Sequence, residues 1–150
     1  MITSEQIIAL VNIEKQDFNN VFSLDCRYNR LHFTGINISI SLSETQKRLM
    51  ICLLNNITCK QDIIKVVWND EYDRIRDNNY HQLVFQFRAL LQRNGLPQNL
   101  IVTIPYYGLK INEPLLINLN NCNAHSNANP SPAENRKLLP KLITFARSIF

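Results

Sequence analysis

A chain of 150 residues with 45% hydrophobic and 19% charged side chains has the balance of a globular protein and the length of one domain plus a tail. No run reaches the roughly 18–20 consecutive apolar residues of a membrane-spanning helix. A net charge of +4, with a pI of about 9.0, favours polyanionic partners without naming one.

The positive excess begins midway: residues 59–112 hold seven Lys/Arg against five Asp/Glu, whereas residues 1–58 hold five of each. Cys26, Cys52, Cys59 and Cys122 form no zinc-type spacing, and Cys52 and Cys59 sit in apolar stretches as small hydrophobes. Met1–Leu10 lacks a basic n-region and a cleavage site, so no signal peptide is expected and a reducing cytoplasm is the expected compartment.

In chain order, residues 1–42 read as strands. Ile7–Ile13 is an apolar run and Glu14–Asn20 a polar one. Val21–Leu24 and Arg30–Thr34 flank a turn-like insert, Asp25–Asn29. Ile36, Ile38 and Ile40 alternate with Asn37, Ser39 and Ser41, the period of a half-buried strand. These segments predict a small antiparallel sheet.

Ser43-Glu44-Thr45-Gln46 is a capping box that opens a helix carrying Leu49, Met50, Leu53 and Leu54 on one face. Thr58-Cys59-Lys60-Gln61 has the same pattern and predicts a second helix with Ile63, Ile64, Val67 and Trp68. Asn69–Asp77 reads as a loop. A third helix, capped by Asp77 or Asn78, places Tyr80, Val84, Phe87 and Leu91 at i, i+4, i+7 and i+11. Gly95 fits the left-handed position after its end, and Pro97 prevents continuation. Leu100–Ile104 and Leu109–Ile111 predict a hairpin whose turn takes its unusual backbone angle from Gly108. Residues 116–133 read as an Asn/Pro-rich linker and residues 134–150 as a basic apolar tail, leaving 1–115 as the folded domain.

Sheet, three helices and hairpin in that order place a helix after a short connection, free to project one face outward. The third helix offers such a face in Asn79, His81, Gln82, Phe85, Gln86 and Arg88. Amides donate and accept together, which suits adenine edges in a major groove about 12 Å wide.

On these residues the chain resembles a known family. Trp68 followed by Asp77-Asn78-Asn79-Tyr80-His81-Gln82-Leu83-Val84-Phe85-Gln86-Phe87-Arg88-Ala89-Leu90-Leu91 is similar to the second and third helices of OmpR/PhoB-type winged helix-turn-helix domains. Thr103-Ile104-Pro105-Tyr106-Tyr107-Gly108-Leu109-Lys110-Ile111 resembles that family's wing, and Leu24–Leu31 its amino-terminal strand-turn-strand. The match spans about residues 20–112. It implies an α+β winged helix-turn-helix fold: an amino-terminal antiparallel sheet, a three-helix core and a carboxy-terminal hairpin wing. It further implies sequence-specific binding of double-stranded promoter DNA and transcriptional regulation, with the third helix in the major groove and the wing on the backbone or minor groove. The closer resemblance is to ToxR/CadC/TcpP-like regulators, which put this domain first and follow it with a linker and one transmembrane helix. Residues 116–150 would suit a juxtamembrane position on the cytoplasmic side of an inner membrane if the chain continues beyond Phe150.

The residues implied to meet DNA are Trp68, Asn78, Asn79, His81, Gln82, Phe85, Gln86, Arg88, Thr103, Tyr106, Tyr107 and Lys110. Several carry two readings. Phe85 is a core aromatic or a contact to a thymine methyl or a partner; Trp68 is buried or donates to the DNA backbone. Arg88 supports the helix end or meets a phosphate. Tyr106 and Tyr107 stand where the family wing often has Arg-Arg, and either donate to phosphates or pack on a second protomer. Fewer cations mean weaker phosphate binding. A homodimer or a second regulator would offset that loss, and the rival reading is a degenerate winged-helix module for protein–protein interaction. His32, His81 and His125 form no nucleophile–base or metal spacing, so no enzyme, metal or cofactor is expected.

Overall fold

The computed structural model describes residues 1–119. Thr3 opens its first element: the Gln6 N–H donates to the Thr3 hydroxyl at 3.3 Å and the Thr3 N–H to Gln6 Oε1 at 2.9 Å. This capping box starts helix α1, Ser4–Val11, which buries Ile7. The expectation of strands from the first residue is therefore corrected. The run Ile7–Ile13 carries a helical stripe, and the box ahead of it selects helix. The polar stretch after it holds an edge strand, β1 (Lys15–Phe18), which alternates exposed and half-buried residues.

β2 (Phe22–Asp25), β3 (Arg30–Phe33) and β4 (Ile38–Ser41) complete an antiparallel sheet in the order β1-β2-β3-β4. The register Phe22↔Phe33, Leu24↔Leu31 and Leu31↔Ile40 sends these side chains to one buried face. The insert between β2 and β3 is a turn, as expected. Asp25 Oδ1 accepts the N–H groups of Arg27 and Tyr28 at 3.0 and 3.3 Å, and Asn29 takes φ +52°.

Helix α2 (Glu44–Leu54) begins with the expected Ser43–Gln46 box and buries Leu49 to Leu54 without a break. It is central to the core. Helix α3 (Lys60–Trp68) follows, but the predicted Thr58 box does not form: the N-cap is Cys59, with no side-chain cap. The hairpin has taken the local backbone groups instead. Thr58 O accepts Leu109 N–H at 3.0 Å, and Lys60 N–H donates to Tyr107 O at 2.8 Å. Asn69–Arg74, expected as loop, is a 3₁₀ helix.

Helix α4 (Asp77–Arg93) buries Tyr80, Leu83, Val84, Phe87 and Leu91, the expected stripe with one addition. Its N-cap is Arg76 rather than Asp77 or Asn78, and Asn79 Oδ1 accepts the Arg76 N–H at 3.2 Å. Its end is a Schellman motif. Gly95 takes φ +78°, its N–H bonds Gln92 O at 3.0 Å, and Leu96 N–H bonds Leu91 O at 2.9 Å.

Strands β5 (Ile101–Ile104) and β6 (Gly108–Ile111) form the predicted hairpin. The source of its turn is different from expectation. Tyr106 holds the left-handed angle, φ +60°, directly after Pro105, whereas Gly108 is not in that region. Gly108 is needed for packing: a Cβ there would overlap the Thr58 carbonyl oxygen and lie 2.9 Å from Lys60 N. Residues 113–119 are helical, begun by Asn112, whose Oδ1 accepts Leu115 N–H at 3.3 Å. Leu115, Leu116 and Leu119 are buried in the core, so the expected boundary after residue 115 falls inside this helix. The remainder of the expected linker and the tail 134–150 lie outside the described residues. Among those described, no helix is long and apolar enough to cross a membrane.

Candidate nucleic-acid interface

The outward face of α4 follows from its period. With Tyr80, Val84, Phe87 and Leu91 turned inward, Asn78, Gln82, Phe85 and Gln86 share an exposed stripe at i, i+4, i+7 and i+8. Phe85 is 73% exposed, which removes its core reading. Asn78 and Gln82 are exposed amides with no hydrogen-bond role in capping, whereas Asn79 is committed through its oxygen to the helix start. His81 is exposed and meets the Tyr80 ring edge-on at 5.4 Å.

One side chain sets the hairpin against this helix. Arg88 is half-buried; its Nε and Nη2 donate to Ile101 O at 3.2 and 2.8 Å, and Nη2 also donates to Thr103 Oγ1 at 3.0 Å. Burial lowers its pKa from the ordinary value, without bringing arginine near neutrality. Of the two readings for Arg88, the structure supports the positioning one. Thr103, exposed on β5, is the other half of that strut. Trp68 is partly buried and packed on the core at the end of α3, which favours its burial reading.

The strut leaves a groove of about 900 Å³ between α4, the hairpin and the start of α3. It brings together His81, Phe85, Arg88, Thr103, Tyr106 and Tyr107 from the predicted set. Asn78, Asn79, Gln82, Gln86, Trp68 and Lys110 do not line it; Lys110 is exposed on β6. No Asp or Glu side chain is among the lining residues, so the groove walls carry cations and neutral hydrogen-bonding groups. At the tip, Tyr106 is fully exposed and Tyr107 half exposed. Tyr106 therefore gains no burial in return for a backbone angle that costs a non-glycine residue about 1 kcal/mol.

Lys60, which sequence reading did not single out, lines the same groove. Its ammonium lies 2.8 Å from Asp77 Oδ1 and 5.4 Å from the centre of the Tyr80 ring. The Lys60 hydrogen bond and charge hold the Asp77 carboxyl below its usual range. Only the fold joins them, because the two residues belong to different helices. Tyr80 itself is buried with a hydroxyl that has no hydrogen-bond partner among the described residues, and burial pushes its pKa up from 10.0 to about 12.

A stability prediction follows from Tyr80. Tyr80→Phe removes an unsatisfied buried hydroxyl, so the variant is expected to be neutral or more stable by up to about 1 kcal/mol in urea unfolding. The phenol loses its proton first in the unfolded chain. Wild-type stability is therefore full below pH 10 and falls as pH rises from 10 to about 12, and the phenylalanine variant should lack that component. Equal pH profiles for the two proteins would show that the hydroxyl is not desolvated.

Comparison of the chain with protein-family models, with curated proteins and with solved structures gave no match in any of the three. Within the described residues, no group of three or more His, Cys, Asp or Glu is placed to hold a metal ion.

Proposed function

We propose that this protein binds duplex DNA as a winged helix-turn-helix transcriptional regulator of the OmpR/PhoB type. In this reading α3 and α4 are the helix-turn-helix, α4 enters the major groove, and the β5–β6 hairpin is the wing. The observation that carries it is the Arg88 strut. It holds the hairpin against the flank of α4 that carries His81 and Phe85, next to the stripe of exposed amides, and no carboxylate lines the groove between helix and hairpin. A helix presenting Asn78, Gln82 and Gln86 has the groups for base edges, and its exposed flank fits a major groove about 12 Å wide. Lys110 on the wing and Arg76 at the start of α4 are exposed cations available to phosphates.

The test is binding of the full chain to promoter fragments across a salt series. Counterion release predicts a Kd that rises with salt, with a log–log slope of about one per phosphate contacted. Absence of binding at about 50 mM salt, where the electrostatic contribution is strong, would defeat the DNA-binding reading.

Gln86→Ala is expected to weaken binding to a specific site by about 1–3 kcal/mol while leaving binding to random duplex unchanged, as a base-edge contact requires. Titration of both duplexes separates this from a phosphate contact, which would weaken the two equally. Asn79→Ala is a poorer probe, because it also removes the Arg76 cap and costs about 1 kcal/mol of helix stability.

A second reading rests on the exposed aromatics. Phe85, Tyr106 and Tyr107 together form an aromatic rim that a protein partner would bury, which favours an interaction module working with a second regulator or a second copy. That reading expects Tyr106→Ala to abolish partner capture and leave any DNA binding intact.

A further inference from the structure

The chemistry of the α4 face narrows which bases it can read, an inference that rests on the DNA-binding function proposed above. We propose that Phe85, flanked by Gln82 and Gln86, makes this protein a reader of adenine–thymine steps, with the Phe85 ring packing on thymine 5-methyl groups.

Each base pair presents a different edge in the major groove, and each edge has its matching side chain. Guanine is read by a free arginine or lysine donating twice to O6 and N7. The exposed stripe from Asn78 to Gln86 carries neither. The guanidinium next in the helix, Arg88, donates from Nε and Nη2 to the hairpin at Ile101 and Thr103, and the Lys60 ammonium is ion-paired to Asp77. Cytosine is read by an acceptor carboxylate, and Asp77, the acidic residue at the start of α4, is the one held by Lys60. What remains exposed along Asn78–Gln86 is amides, a phenyl ring and the His81 imidazole, which lies against the Tyr80 ring. Amides pair with adenine N6 and N7, and the thymine methyl is the apolar feature of the major groove. A ring 73% exposed in the middle of a polar stripe, with the 900 Å³ groove at its side, is accessible to such a surface.

The experiment starts from selection of the full chain against a library of randomised duplexes. The leading recovered duplex is then made again with deoxyuridine replacing thymidine, which removes the methyl groups and keeps the pairing. Recovered sites are expected to be rich in A·T pairs. Deoxyuridine should weaken wild-type binding by about fourfold for each contacted methyl, the factor for losing burial of one such group. Phe85→Ala should bind the two duplexes equally, since the ring that senses the methyl is gone. Its exposure makes loss of folding by this variant unexpected, and circular dichroism checks it. Sites led by G·C pairs, or a deoxyuridine penalty as large in Phe85→Ala as in wild type, overturn the inference while leaving DNA binding in place. No enrichment over the starting library by the folded protein overturns the DNA-binding reading, and this inference with it.

Discussion

Gly108→Ala is expected to destabilise the protein by about 3 kcal/mol or more and to release the hairpin from α3. The new Cβ would overlap the Thr58 carbonyl oxygen and crowd the Lys60 nitrogen, both of them backbone atoms that no rotamer change can move aside. Relief requires the hairpin to retreat, breaking the Leu109–Thr58 and Lys60–Tyr107 hydrogen bonds. Urea unfolding should show the loss, and amide exchange should show early deprotection at Lys60 and Leu109. The comparison is Gly95→Ala. A Cβ at Gly95 meets open space, so its cost is confined to the left-handed backbone angle, about 1 kcal/mol. If Gly108→Ala costs no more than Gly95→Ala, the hairpin does not seat on α3 as described. Under the proposed function the same variant should lose DNA binding, because the wing would no longer stand beside α4.

Under the proposed function, Tyr106→Arg combined with Tyr107→Arg is expected to tighten binding to duplex DNA by about tenfold to a hundredfold at low salt and to steepen the salt slope by about two. Both side chains stand at the exposed hairpin tip, where they can change without disturbing the core. Each added cation that reaches a phosphate releases counterions, and that term acts on any sequence. Under the proposed function the native tyrosines forgo this affinity, and a second protomer or partner would raise occupancy by making the next binding step intramolecular. Salt-series titration of wild type and variant on one promoter fragment checks the prediction. If the two slopes coincide, the tip does not face the phosphates, and the aromatic rim is better explained by a protein partner.

Helices α2 and α4 were legible in the sequence because their signals are local. A capping box at Ser43, an apolar period of 3.6 and a glycine after the last turn each act within a few residues, and the structure forms them where they stand. The alternation of Ile38 and Ile40 with serines, and the Asp25 turn, are local in the same sense. The box at Thr3 was equally local, and the apolar run behind it masked it. Short apolar runs fit helix and strand alike. Thr58 shows the opposite outcome: its pattern was present, yet Thr58 O and Lys60 N–H bond to the hairpin, far along the chain, and the helix starts from Cys59 instead. The glycine in the hairpin was visible in sequence. That it serves close approach to Thr58, while Tyr106 bears the strained angle, depends on two segments meeting. The site divides along the same line. Periodicity placed Gln82, Phe85 and Gln86 on one face, because a helix fixes relative directions, whereas Asn79, read with them, is spent on the helix start and Asn78 takes its place on the exposed stripe. Which cations remain free was decided by tertiary structure, since Arg88 and Lys60 spend their charge on residues of other elements, Ile101 and Thr103 for one and Asp77 for the other. Hydrogen bonds between distant segments depend on how the elements pack, and a pattern confined to one helix carries no record of them.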